Sequence, residues 1–236
     1  MLTGRVIDMD RPKMSDIGDY VGKLIAKSGE PVIRQAMKIM GRQFVMGRTI
    51  EEALERAKDD EKLGYRHAYD MLGEAAHTDA DALAYLQDYS DAIEVVGKAS
   101  SGCGPIEAPG VSVKLSALHS RYEEAQRGRV MAELVPRLLG LAQQAKTLDI
   151  GLTVDAEEAD RLDLSLDVLE AVSGDASLAG WNGLGLAVQA YQKRAMPVLD
   201  WLADMARRHE RRLMVRLVKG AYWDTEIKNA QVLGVD

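Results

Sequence analysis

Apolar residues in the first quarter of the chain recur at helical spacing. Val21, Leu24 and Ile25 make one cluster, Val32, Ala36, Ile39 and Met40 a second, and Ala53, Leu54 and Ala57 a third. The pattern predicts a helical arm over residues 16–62. Pro31 suits a first helical turn, and Thr49 ahead of Glu51 and Glu52 reads as an N-terminal cap, so breaks are expected near 28–31 and 46–49. From about residue 65 the pattern changes to five short apolar runs, at 66–72, 111–115, 151–155, 184–191 and 213–218. Longer helical stretches separate them. Val130, Leu134, Leu138, Leu141 and Ala145 form one helical face, Leu162, Leu166 and Leu169 another, and Ala195, Leu199, Leu202 and Ala206 a third. This alternation is that of a parallel sheet with crossover helices, so the expected fold class is α/β. The expected division is an arm over 1–62 and a sheet-containing part over 63–236.

The strands end in polar residues: Asp70 and Glu74, Lys114 and Ser116, Asp155 and Glu157, Gln189 and Tyr191, Arg216 and Lys219. In parallel α/β folds the carboxyl ends of the strands converge on the site. Five successive polar strand ends therefore predict an active face there.

Composition narrows the classes. The 236 residues are 47% apolar and 28% charged, ordinary globular proportions, and their net charge of -7 gives no general attraction to nucleic acid or anionic lipid. Nucleic-acid binding is not expected. No run of about 18 uncharged apolar residues predicts a transmembrane segment, and residues 1–13 lack a secretory signal pattern, although peripheral membrane contact needs only a local surface. One cysteine, Cys103, cannot close an intramolecular disulfide, which suits a cytoplasmic chain. With one Phe, three Trp and eight Tyr, the core must rest on aliphatic residues, and the 11 methionines read as core filler.

Other features read as structural. The glycine-rich stretch 100–105 precedes a strand rather than joining strand to helix, so it is a turn and not a dinucleotide fingerprint. The basic stretch 207–212 complements a helix C-terminus. His67, His77, His119 and His209 fall at no metal-ligand spacing, no metal site is expected, and neither GxSxG nor HExxH occurs. His119 is expected as an exposed loop residue, with a place lining the site as the alternative.

Five motifs carry a resemblance: YDMLGEAA at 69–76, VSVKLSALH at 111–119, LTVDAEEADRLD at 152–163, VQAYQKR at 188–194 and VRLVKGAYWD at 215–224. In this order they resemble the proline dehydrogenase domain of the bifunctional proline utilization A flavoprotein family. The resemblance implies a (β/α)8 barrel of the TIM type that binds FAD at its carboxyl face and oxidises L-proline to Δ1-pyrroline-5-carboxylate. By that resemblance Gln189 and Arg216 contact the flavin, while Val218, Lys219, Gly220, Ala221 and Trp223 line it. Lys114 meets the proline carboxylate, Asp155 joins the polar network, Tyr222 walls the pyrrolidine ring, and Glu74 pairs with arginines that close the site. The family also implies a quinone as electron acceptor and a second activity, aldehyde oxidation to glutamate, elsewhere in the polypeptide.

Five strand–helix units are present where a closed barrel needs eight. The expectation is a partial barrel that relies on the C-terminal remainder of a larger polypeptide, and that alone binds FAD weakly and turns over little proline. No glycine cap or proline stop is expected at the last helix. Two alternatives stand beside this: a barrel aldolase in which Lys114 or Lys219 forms a Schiff base, and a non-catalytic fragment needing a partner chain.

Overall fold

The structure is a computed structural model that describes residues 41, 45–71 and 73–235. The chain falls into two compact units that divide between Ala57 and Lys58. Most of the expected arm, including the break near 28–31, lies outside the described residues. Within them, helix α1 spans Ile50–Lys62 and begins as its sequence indicates. The Thr49 hydroxyl accepts from the Glu52 amide at 3.3 Å, and the Glu52 carboxylate accepts from the Arg48 amide at 3.1 Å. Together they satisfy amides that a helix start leaves free.

The second unit carries β1 (Ala68–Asp70), α2 (Asp79–Ala99), β2 (Gly110–Val113), α3 (Leu115–Leu118), α4 (Arg127–Thr147), β3 (Leu152–Val154), α5 (Leu162–Ser173), β4 (Leu184–Gln189), α6 (Ala195–Arg208), β5 (Met214–Val218) and α7 (Trp223–Leu233). The strands form one parallel sheet in the order β1-β2-β3-β4-β5, a half-barrel. All five expected strands exist, and each is shorter than its apolar run at one or both ends. The run 66–72 pairs only over Ala68–Asp70, and the run 111–115 stops at Val113, where Lys114 leads into the single turn of α3. Apolar side chains continue past the strand ends because they pack in the exit turns, so hydrophobicity outlasts the hydrogen-bonded ladder.

Register assigns the two faces. Asp70 pairs with Ser112, Ser112 with Thr153, Thr153 with Gly185 and Gly185 with Met214, which makes one inward layer. Two residues further along, on the same side by the strand period, come Lys114, Asp155, Ala187 and Arg216. The intervening residues point outward to the helices. Val111, Val113, Leu152, Val154, Leu184, Leu186 and Val188 are all buried there. Helix α2 packs on β2 and α4, α4 on α5, and α6 on β4. Leu134, Leu138 and Leu141 lie on the buried face of α4, as expected. Each such side chain contributes about 1.5–3 kcal/mol of transfer free energy.

β5 differs from the other strands. Its outward residues Val215 and Leu217 are 43% and 61% exposed, and α7 buries none of its side chains. The missing glycine cap is a correction: Gly234 caps α7 at φ +66, a left-handed residue at a helix end where glycine costs least. Among the described residues, no helix is long and apolar enough to cross a membrane.

Candidate functional site

The inward layer at the carboxyl ends of the strands is a charge network built from separate elements. The Lys114 ammonium lies 2.5 Å from Asp70 Oδ2 and 3.1 Å from Asp155 Oδ2. Arg216 donates to the other oxygen of Asp155 and, at 2.8 Å, to Ser112 Oγ. Four strands thus meet through two cations, two carboxylates and a hydroxyl. Burial pulls the Lys114 pKa down, but hydrogen bonds and charges from Asp70 and Asp155 outweigh it and hold the pKa above the usual lysine range. The Lys114 amide donates to the Tyr89 hydroxyl at 3.2 Å, which anchors the backbone of this cation to α2. A charged lysine cannot add to a carbonyl, so the network argues against Lys114 as a Schiff-base nucleophile.

Beside this lies a second cluster at the ends of β4 and β5. Gln189 donates from Nε2 to the Glu157 carbonyl at 2.8 Å, while its Oε1 is buried with no partner among the described residues. The Tyr191 hydroxyl is also buried and unpartnered. The Val218 carbonyl accepts from the Ala190 amide at 2.8 Å, which carries the β4–β5 ladder past the end of β4. Gly220 has φ +108, and a Cβ there would stand 2.5 Å from the Tyr191 ring and 2.9 Å from Gln189 Oε1. Only glycine fits, on both conformation and space. The Lys219 ammonium sits 5.2 Å from the centre of the Trp223 ring, a cation–π distance. Ala221 is exposed between them.

Tyr222 joins the two clusters. Burial, and then the negative charges of Glu74, Glu158 and Glu157, push its pKa up against the opposing charge of Lys114, so its hydroxyl keeps its proton. Glu74 is exposed on the loop that leaves β1.

All eleven residues expected at the site therefore lie at or just beyond the carboxyl ends of the strands. Lys114, Asp155 and Arg216 are in direct contact, Gln189 and Gly220 adjoin, Lys219 meets Trp223, and Glu74 acts on Tyr222 only through its charge. Asp70 and Ser112 stood outside the expected set although both touch its cations. Ser112 carried a signal in parity, since it shares a strand face with Lys114, whereas Asp70 comes beside Ser112 only through strand register. Glu157 was noted only as a strand-end polar residue. It is 7% exposed, accepts from the Ser116 amide at 3.0 Å, and has its carboxyl pushed up chiefly by burial.

His119 is a correction. It is 1% exposed rather than a surface residue, because its Nδ1 accepts from the Arg121 amide at 3.0 Å and its Nε2 lies 3.3 Å from Glu133 on α4. The acid partner absent nearby in sequence arrives from the next helix.

A proline dehydrogenase family model matches residues 53–236. The chain is 54% identical over 240 aligned residues to the bifunctional protein PutA of Salmonella typhimurium, covering 100% of this chain and 18% of that protein. It is 28% identical over 193 residues to a proline dehydrogenase of Deinococcus radiodurans, covering 82% of this chain and 56% of that one. A crystal structure of a proline utilization A variant from Bradyrhizobium japonicum superimposes with a TM-score of 0.78 at 55% identity, covering 99% of this chain and 24% of that one. The chain thus spans about a fifth of the bifunctional relatives, and the matched region contains every strand of the half-barrel and every residue of the two clusters. On these grounds the chain belongs to the proline dehydrogenase family.

Proposed function

We propose that this segment supplies the substrate cations and part of the flavin pocket of an enzyme that oxidises L-proline to Δ1-pyrroline-5-carboxylate. In this reading residues 1–62 are an arm and 63–236 the first portion of the barrel, within a larger cytoplasmic polypeptide that passes electrons to a quinone at the membrane face. The observation that carries it is the Asp70–Lys114–Asp155–Arg216 network, a fixed pair of cations at the barrel mouth.

The residues present fit FAD. Gln189 offers a buried acceptor without a donor among the described residues, Arg216 a cation, and Gly220 a backbone free of any side chain at a tight approach. Gln189 and Arg216 would hold the isoalloxazine, with Val218, Lys219, Gly220, Ala221 and Trp223 as its surround. Bound flavin supplies the acceptor for the two electrons that leave proline.

The chain's own groups do the positioning. The Lys114 ammonium remains charged and offers the proline carboxylate a charge-assisted donor. Asp70 and Asp155 hold that ammonium in place from two sides, so little conformational freedom is lost on binding. Tyr222 keeps its hydroxyl proton and presents an uncharged aromatic wall to the pyrrolidine ring. Glu74, at the rim, offers a carboxylate to cations that close over the substrate.

The test uses a polypeptide that carries this segment in a complete barrel, purified with FAD under anaerobic conditions. Addition of L-proline is expected to bleach the visible flavin band and a quinone to restore it. A flavin spectrum indifferent to proline would remove this reading. Borohydride trapping of Lys114 or Lys219 with a carbonyl substrate would favour the aldolase instead.

A further inference from the structure

Resting on the proposed function, we infer that Ser116 is a positioning residue that sets where Glu74 stands relative to Lys114. Ser116 is 3% exposed in α3, two residues after Lys114, on a turn whose Leu115, Ala117 and Leu118 are fully packed. It reaches three strand ends at once. Its hydroxyl accepts from the Ala75 amide at 3.1 Å, its carbonyl accepts from the Ala76 amide at 2.9 Å, and its own amide donates to Glu157 Oε1 at 3.0 Å. Glu157 continues the connection through its carbonyl, which accepts from Gln189 Nε2 at 2.8 Å.

The loop it holds is strained. Ala75 has φ +54, a left-handed conformation that an alanine adopts rarely, and it directly follows Glu74. Nothing about an exposed alanine favours that conformation by itself. The two hydrogen bonds from consecutive amides, Ala75 and Ala76, to one serine stabilise it. The direction in which Glu74 leaves the backbone is thereby tied to the turn that carries Lys114. A serine is needed because the hydroxyl accepts one amide while the carbonyl of the same residue accepts the next. Alanine at 116 would keep the second bond and lose the first.

The experiment compares Ser116→Ala, Ala75→Gly and the double variant in the flavin-loaded polypeptide with a complete barrel. Hydrogen exchange of the 73–77 segment is followed with and without flavin. Ser116→Ala is expected to speed exchange at Ala75 by about tenfold, the equivalent of one lost hydrogen bond. The KM for L-proline should rise about five- to tenfold with kcat within about twofold and flavin content unchanged, because uniform substrate binding is weakened and not the chemical step. Adding Ala75→Gly should return KM to within about threefold of the parent, since glycine takes the left-handed conformation without restraint.

Unchanged exchange and unchanged KM in Ser116→Ala would overturn the proposal. So would a joint fall of kcat, flavin content and thermal stability that Ala75→Gly does not relieve, which would mark Ser116 as a residue of the fold alone. If the parent protein carries flavin yet ignores proline, the enzymatic reading fails separately, and exchange at Ala75 still decides whether Ser116 holds the loop.

Discussion

The β1–β3 side of the half-barrel and the β4–β5 side are made of similar residues but finished differently. On the first side polar groups find partners within the chain: Asp70 and Asp155 flank Lys114, Ser116 holds the β1 exit loop, and Glu157 holds Ser116. Outward residues such as Val111, Val113 and Leu152 are fully covered by helices. On the second side Gln189 Oε1 and the Tyr191 hydroxyl are buried without partners among the described residues, and Leu217, Ile227, Val232 and Leu233 are exposed. Buried polar atoms cost free energy unless paired, and exposed apolar residues in one region mark a surface that contacts something. In the proposed reading, the first side is the preorganised substrate side and the second the cofactor side, where buried polar atoms lack partners among the described residues.

The largest effect should come from the centre of the finished side. Lys114→Met leaves Asp70 without its cation and Asp155 with Arg216 alone, and removes the donor offered to the substrate carboxylate, a loss of about 2–5 kcal/mol for a charge-assisted partner. Proline turnover, measured as kcat/KM in the flavin-loaded polypeptide with a complete barrel, should fall by roughly a thousandfold. A loss under tenfold would mean that the network is not the substrate's anchor.

Leu138→Ala tests the covered face of the same side. A fully buried leucine on α4 should cost about 2–5 kcal/mol in chemical denaturation. Arg216→Lys probes the junction between the two sides. Lysine keeps the charge but cannot reach Ser112 and Asp155 together, so flavin affinity should drop by about ten- to a hundredfold, as read by equilibrium dialysis. Retained affinity would place the flavin contact elsewhere.

Acid should weaken the finished side through His119. Burial lowers its pKa below the ordinary value of 6.5, Arg129 and Arg137 add to this, and Glu133 opposes them. Its Nδ1 already accepts the Arg121 amide, so a second proton would break that bond. The unfolded chain binds the proton more readily, hence stability is lost as pH falls below about 6.5 toward the lower folded value. Denaturation curves between pH 7 and 5 should show this acid limb, and His119→Gln should flatten it. The smallest effect belongs to the open side: in the 236-residue chain by itself, Ile227→Ala, at an exposed position on a helix with no buried residue, should change stability by less than about 0.5 kcal/mol in chemical denaturation.

Much of this was legible in the chain. Helical spacing at Leu134, Leu138 and Leu141 needs only local geometry, and so does the Thr49 cap. Polar strand ends such as Lys114 and Asp155 were visible because alternation stops where a strand meets the site. His119 was not legible as a buried residue, since its acid partner, Glu133, lies 14 positions away and comes near only when α4 packs on the loop. Nor was the role of Asp70 legible, because its contact with Lys114 depends on which strands pair and in what register.

What the sequence by itself determined was the alternation of strands and helices, the family and the identity of the charged residues. These follow from periodicity and from motifs that are local in the chain. Only the tertiary structure decided that one lysine is shared by two carboxylates and that one serine holds two consecutive amides of a strained loop. Each of these is a contact between residues far apart in sequence. Such contacts depend on strand register and helix packing, and no local pattern encodes the distance between two charges.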